Sequence, residues 1–240
     1  MADNQENCGE ESKRIEVFEN GPFILRGNIP VVRKTQVVTE YGEPITWKKG
    51  PTLEQGPDDD ALCRCGHSHR KPFCDGTHCE IEFDGTETAD PRPTTERRVR
   101  IPGGKQIIVR RDYSLCMEAG FCGNRFGTVD TMLDQVDDPN VLSQVIAMIE
   151  RCPSGSYTYT LSEGDEDIEP DLPQEVAAVT EMTDKGPIMG PLWVTGGIPV
   201  ERSDGQPLET RNRVTLCRCG LSKNKPLCDG EHRRQFVRED

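Results

Sequence analysis

Apolar side chains are scarce in this chain. Leu, Ile, Val and Phe make up 50 of its 240 residues, or 21%, and aromatic residues 5%. Charged sequences with so little to bury lie close to the composition at which chains stop folding, so one large apolar core is not expected. No stretch approaches the roughly eighteen consecutive apolar residues of a membrane span. The N-terminal MADNQENCGEESKR lacks the apolar centre of an export signal, which makes a cytoplasmic location the expectation. Basic residues are in the minority, 29 against 42 acidic, for a net charge of −13. Binding nucleic acid needs a basic face to neutralise phosphates, so that role is disfavoured. Absent too are a nucleophile–base arrangement, a phosphate-binding loop and a substrate-pocket signature, so no enzyme is expected.

What the chain has is cysteine, eleven in all. A sequence poor in core residues and rich in thiols needs staples. In a reducing compartment clustered thiols serve metal before disulfide, and an odd count argues against complete pairing.

An internal repeat organises the chain. Residues 63–78 read CRCGHSHRKPFCDGTH and residues 217–232 read CRCGLSKNKPLCDGEH, identical at eleven of sixteen positions without a gap. Upstream, GPFILRGNIPV at 21–31 matches GPLWVTGGIPV at 190–200. Each copy is thus a Gly-Pro turn, a short β-type run, an Ile-Pro pair and a connection into a Cys/His motif. The first connection also carries VVRKTQVV and PITWKK, rich in β-branched and aromatic residues and read as strands.

Each motif offers three thiols and an imidazole: Cys63, Cys65, Cys74 and His78, then Cys217, Cys219, Cys228 and His232. Cys and His four apart share one face of a helical turn and can hold one metal centre. Pro72 and Pro226 suit a helix entry, with Asp75 and Asp229 at its positive end. Gly76 and Gly230 remove a side chain where backbone must approach closely. Ser68 and Ser222 are read as capping the loop or donating to sulfur. Three thiolates and one imidazole also satisfy tetrahedral zinc, so two zinc knuckles remain an alternative at this level. A C-x-C opening suits a wider two-iron centre better.

The pattern C-x-C-x2-S-x3-P-x-C-D-G-[S/T/A]-H resembles the signature of the CDGSH iron–sulfur proteins, the mitoNEET-like family. Residues 63–78 fit it throughout; residues 217–232 depart at Glu231, where the family has a small residue. The resemblance implies a [2Fe–2S] cluster in each motif, held by three Cys and one His, beneath an upstream β-cap. Because membrane-anchored members pair as homodimers, two copies in one chain imply the same arrangement internally, a monomeric pseudo-dimer. A neutral imidazole in place of a thiolate makes the site less negative, placing its potential above that of plant-type ferredoxins at about −400 mV. A protonated imidazole cannot ligate, so cluster loss on mild acidification is expected, with His78→Cys and His232→Cys resisting it.

Between the copies lies a different unit, 97–162. KQIIVRR (105–111) and YTYTL (157–161) read as strands. A helix is predicted from Asp138, with Pro139 first and Val141, Leu142, Val145, Ile146 and Ile149 on one face, ending at Cys152-Pro153. Cys116-x2-Ala119-x2-Cys122…Cys152-Pro153 is similar to a divergent mono-cluster ferredoxin-like domain, with Ala119 where a [4Fe–4S] site has its second cysteine. Three thiols can hold [3Fe–4S], or [4Fe–4S] with an external ligand; the alternative is such a fold without a cluster.

The predicted class is α+β: two β-cap cluster units at 14–83 and 185–240 around the small α+β middle domain. The linkers are 84–96 and an acidic 163–184, and 1–13 is a disordered N-terminus that contains Cys8. His67 and His69 are read as solvated, Cys79 as a bystander, and Trp47, Trp193 and Phe23 as cap packing. Arg64 and Arg218 contribute to locally basic motif windows that compensate anionic centres or steer an acidic partner. The expected role is electron transfer or redox sensing with a partner protein, or donation of clusters to apo-acceptors; the third reading is a zinc-stapled interaction module.

Overall fold

The computed structural model describes residues 11–56 and 60–238; Cys8 and most of the segment read as a disordered N-terminus lie outside the described residues. The fold is mixed α+β, with small sheets and few helices. Its strands are β1 (Arg14–Val17), β2 (Phe23–Arg26), β3 (Val31–Val38), β4 (Pro44–Thr52), β5 (Ala61–Leu62), β6 (Val99–Arg100), β7 (Ile108–Arg111), β8 (Gly123–Asn124), β9 (Gly127–Thr128), β10 (Tyr157–Thr160), β11 (Glu175–Thr183), β12 (Gly186–Thr195), β13 (Val200–Glu201) and β14 (Arg213–Leu216). Among the described residues no helix is long and apolar enough to cross a membrane.

Each repeat folds as an antiparallel meander. In the first, β1 pairs with β2 and β2 with β5; in the second, β11 pairs with β12 and β12 with β14. The Ile-Pro pair then turns the chain out of its own sheet and into the other. Val31 of β3 lies parallel against Val176 of β11, and Val200 of β13 lies parallel against Ile15 of β1. The resulting sheets run β13-β1-β2-β5 and β14-β12-β11-β3-β4. The exchange solves the shortage of apolar residues. Ile15, Phe23, Ile29, Val31 and Leu62 from the first copy share one buried cluster with Val176, Leu192, Val194, Ile198 and Leu216 from the second. Neither copy supplies enough apolar surface to close that core by itself.

The middle unit has its own core. β10, β7 and β6 form an antiparallel sheet, on which the helix Pro139–Arg151 lays Val145, Met148 and Ile149. That helix starts as its sequence predicts: Asp138 accepts from the Asn140 amide, Pro139 is the first helical residue, and Cys152 follows the last turn.

One stretch differs from its sequence reading. Residues 175–183, inside the segment read as an acidic linker, form the buried strand β11. Glu175 is buried there between Lys34 (2.9 Å) and Lys49 (2.6 Å), which neutralise it from the neighbouring strands. A carboxylate run predicts a solvated spacer only when no basic residues are brought over it.

Candidate metal centres

Each Cys/His motif is a closed loop hung from a sheet edge. β5 delivers Cys63 and β14 delivers Cys217. The Cys63 amide donates to Pro72 O (2.7 Å) and the Cys74 amide to Ala61 O (2.8 Å); the second copy repeats both bonds, Cys217 to Pro226 O (2.8 Å) and Cys228 to Thr215 O (2.9 Å). Ser68 Oγ donates to Phe73 O at 2.6 Å and accepts the Arg70 amide; Ser222 does the same with Leu227 O and the Asn224 amide. The serines therefore cap the loop. Asp75 accepts from the His69 amide (2.8 Å) and from the Thr77 amide and hydroxyl. Asp229 accepts from the Lys223 and Glu231 amides. The Thr77 hydroxyl, together with the His69 amide, holds the Asp75 carboxyl well below the usual carboxylate range.

Two sequence readings of this loop change. Pro72 and Pro226 do not start a helix; each follows a cis peptide in the loop, and the helical turns begin later, at Thr77 and Glu231. Gly76 and Gly230 have φ of 90° and 84°, so backbone conformation is the first reason for glycine. At Gly76 an added Cβ would meet open space, whereas at Gly230 it would lie 3.0 Å from Met117 O.

Two residues apart, the cysteines of each C-x-C fall on one side of the chain, with Cys63 Sγ to Cys65 Sγ at 3.7 Å and Cys217 Sγ to Cys219 Sγ at 3.7 Å. The chain turns directly after each pair, at Gly66 and Gly220, both at positive φ. Cys74 Sγ lies 3.3 Å from His78 Nδ1, and Cys228 Sγ 3.4 Å from His232 Nδ1. For a tetrahedral metal with bonds of about 2.3 Å to sulfur and about 2.05 Å to nitrogen, two thiolates stand about 3.75 Å apart and a thiolate and an imidazole about 3.5 Å. Each pair is thus spaced for one metal. Among the described residues no three Cys, His, Asp or Glu side chains gather closely enough for a single ion. Each motif therefore presents two two-donor ends.

The electrostatics suit an anionic group. The Cys65 thiol lowers the Cys63 thiol to about 6, helped by the amides of residues 68, 66 and 65, while Cys65 is pushed up in turn. The second pair behaves alike: Cys217 falls to about 6 beside Cys219, with amides of residues 222, 219 and 220 aimed at it. Burial pushes Cys74 and Cys228 up, against the Gly76 and Gly230 amides. Burial without a metal thus opposes loss of the remaining protons, and a cation among the sulfurs would remove that opposition.

The two loops touch back to back. A Cβ on Gly66 would come within 2.6 Å of Cys219 O, and one on Gly220 within 2.5 Å of Cys65 O. Arg64 and Arg218 do not form basic rims. Both are buried, Arg64 donating to Gly85 O (2.5 Å) and Phe18 O (3.1 Å), Arg218 to Gly190 O (2.7 Å) and Val179 O (2.7 Å). They tie each loop to its meander, a role that only the folded backbone reveals. His67 and His69 are exposed, as read from the sequence, and Cys79 is exposed as well.

The middle thiols come together as well. Cys116, Cys122 and Cys152 line one cavity with Ala119. Arg111 donates to Cys116 Sγ (3.8 Å) and stacks on Tyr113 and Tyr157. This cation beside the thiols was not singled out from the sequence; it stands at the end of the strand that leads into the cysteine loop. The loop packs on the second motif, with Met117, Ala119 and Phe121 buried against Cys228 and Asn224 donating to Ser114 O (2.8 Å). Trp47 completes that contact, 5.1 Å from Phe121 and 5.5 Å from Trp193.

Comparison with known proteins gives one family. The model of the iron-binding zinc finger of CDGSH type matches residues 20–79 and again 189–233. No curated protein and no solved structure matches the chain. The matched segments take in the Cys/His loop of each copy and the strands that lead into it, while β1 and β11 lie outside them. The chain thus carries two segments that match the CDGSH-type iron-binding domain, at residues 20–79 and 189–233.

Proposed function

We propose that each CDGSH domain holds a [2Fe–2S] cluster, one through Cys63, Cys65, Cys74 and His78 and the other through Cys217, Cys219, Cys228 and His232, and that the protein transfers electrons or senses redox state rather than catalysing a reaction. The observation that carries this reading is the division of each donor set into two pairs, each spaced for its own metal. A bound cluster supplies one-electron redox chemistry. The protein's part is to aim amides at the sulfurs, keep the thiolates from water and bring the two loops into contact. The reciprocal strand exchange supports an intramolecular pseudo-dimer, acting as a monomer on a partner protein.

The middle unit is read as a ferredoxin-like domain whose Cys116, Cys122 and Cys152 hold a third cluster, [3Fe–4S] or [4Fe–4S]. Convergence of the three thiols on one cavity beside Arg111 supports this. Ala119 in the wall leaves the fourth position without a protein thiol.

Iron and sulfide content with visible and EPR spectra tests these assignments. About four irons per chain are expected for two [2Fe–2S] centres, and about seven or eight with the third. A colourless protein carrying zinc overturns the reading. Donation of clusters to apo-proteins is favoured by one observation, the half-buried His78. Rapid cluster loss from the first site to an apo-ferredoxin selects that role, whereas reversible electrochemistry with the cluster retained selects electron transfer.

A further inference from the structure

The two meanders differ in their first hairpin. In the first copy, register ends at Val17↔Phe23 and the chain turns at once. In the second, pairing runs past the matching Ala178↔Leu192, through an irregularity, to Thr183↔Gly186. The longer hairpin carries Glu181 over the second motif. Glu181 is fully buried, its Oε1 3.0 Å from His232 Nε2 and its other oxygen paired with Arg233. The His232 ring is equally buried and sits between that carboxylate and Cys228 Sγ, which lies 3.4 Å from Nδ1. A carboxylate accepts and does not donate, so it fixes the ring proton on Nε2 and leaves the Nδ1 lone pair facing the metal position. His78 is half-buried, and among the described residues no carboxylate is bonded to it.

We infer that Glu181 is a positioning residue that makes the two centres unequal: by fixing the tautomer and raising the electron donation of His232, it makes the second centre slower to release and lower in potential than the first. This rests on the two-iron reading. Arg233 balances the carboxylate charge, so its effect reaches the centre through the shared proton rather than as bare negative charge.

The test uses the full chain carrying His78→Cys and ¹⁵N-labelled histidine, so that His232 is the one imidazole ligand. Glu181→Gln is expected to speed second-centre release to a chelator by about 10- to 100-fold, raise its potential and change the His232 nitrogen hyperfine coupling. The first centre stays unchanged. Glu181→Asp restores part of the effect, and it keeps the test readable if the Gln variant folds poorly. In a His232→Cys background Glu181→Gln should do nothing. An unchanged second centre, an equal shift at both centres, or an effect that persists without His232 overturns the inference. Metal and sulfide analysis of the unsubstituted protein reads the two-iron assignment separately. Should the sites carry zinc, that assignment falls, and the same substitutions read the hold on His232 from zinc release.

Discussion

The first and second CDGSH domains share a loop, a donor set and a buried arginine, yet they sit in different surroundings. The first presents Cys74 and His78 half-buried near the surface. The second buries Cys228 and His232 beneath a long hairpin on one side and the middle unit on the other. Identity at eleven of sixteen positions gives both motifs the same donor set, then, and neighbours outside the motif set how exposed it is. Duplication followed by unequal covering turns one site design into two environments.

The comparison is sharpened most by removing one donor from each loop. Cys74→Ala and Cys228→Ala should each cost about two irons per chain. Cys228→Ala should also lower the thermal midpoint further, because its side chain packs on Met117, Ala119 and Phe121. Equal midpoints would mean that the middle unit does not lean on the second motif.

Next in size is a pair of carboxylates on the first strands of the two meanders, one buried and one near the surface. Glu175 of β11 stands beside Thr195, and Glu16 of β1 is held by Arg14 and Arg26 near the surface. Glu175→Gln strands the buried Lys34 and should cost about 3–5 kcal/mol. Glu16→Gln, screened by water, should cost less than about 1 kcal/mol. Burial pushes the Glu175 carboxyl up, but Lys49 and Lys34 outweigh it and hold it below the usual value. Its contribution is therefore present above the unfolded-state value of about 4.3 and lost as pH falls through the lower folded value. Denaturant melts of Glu175→Gln should accordingly differ most from the parent near neutral pH and converge in acid. A constant gap would contradict the ion-pair account.

The buried arginines should behave alike. Arg64→Met and Arg218→Met each leave two carbonyls unsatisfied and should cost about 1–3 kcal/mol by urea unfolding. A cost confined to one of them would break the symmetry of the loops. Gly76→Ala, in open space at positive φ, should cost about 1–2 kcal/mol. Gly230→Ala should exceed it, since its new Cβ also presses on Met117 O.

Much of the site was legible in the sequence because ligand spacing is a local matter. Three residues between Cys and His set the distance of that pair, and two-residue spacing puts both thiols of each C-x-C on one side. The helix from Pro139 and strands β3, β4, β7 and β10 followed from periodicity and end signals for the same reason. Glu181 was invisible: fifty-one positions separate it from His232, and it lies in a stretch whose acidity reads as solvation. Arg64 and Arg218 read as surface charge because their carbonyl partners belong to backbone that carries no sequence signature.

The sequence by itself determined where the thiols and imidazoles stand and how they are spaced, because both copies of the motif carry them within sixteen residues. Only the tertiary structure decided which copy lends a strand to which, and which histidine is covered. Pairing between segments some 145 residues apart, as in Val31 against Val176, depends on summed burial over both copies, a quantity that no single motif contains.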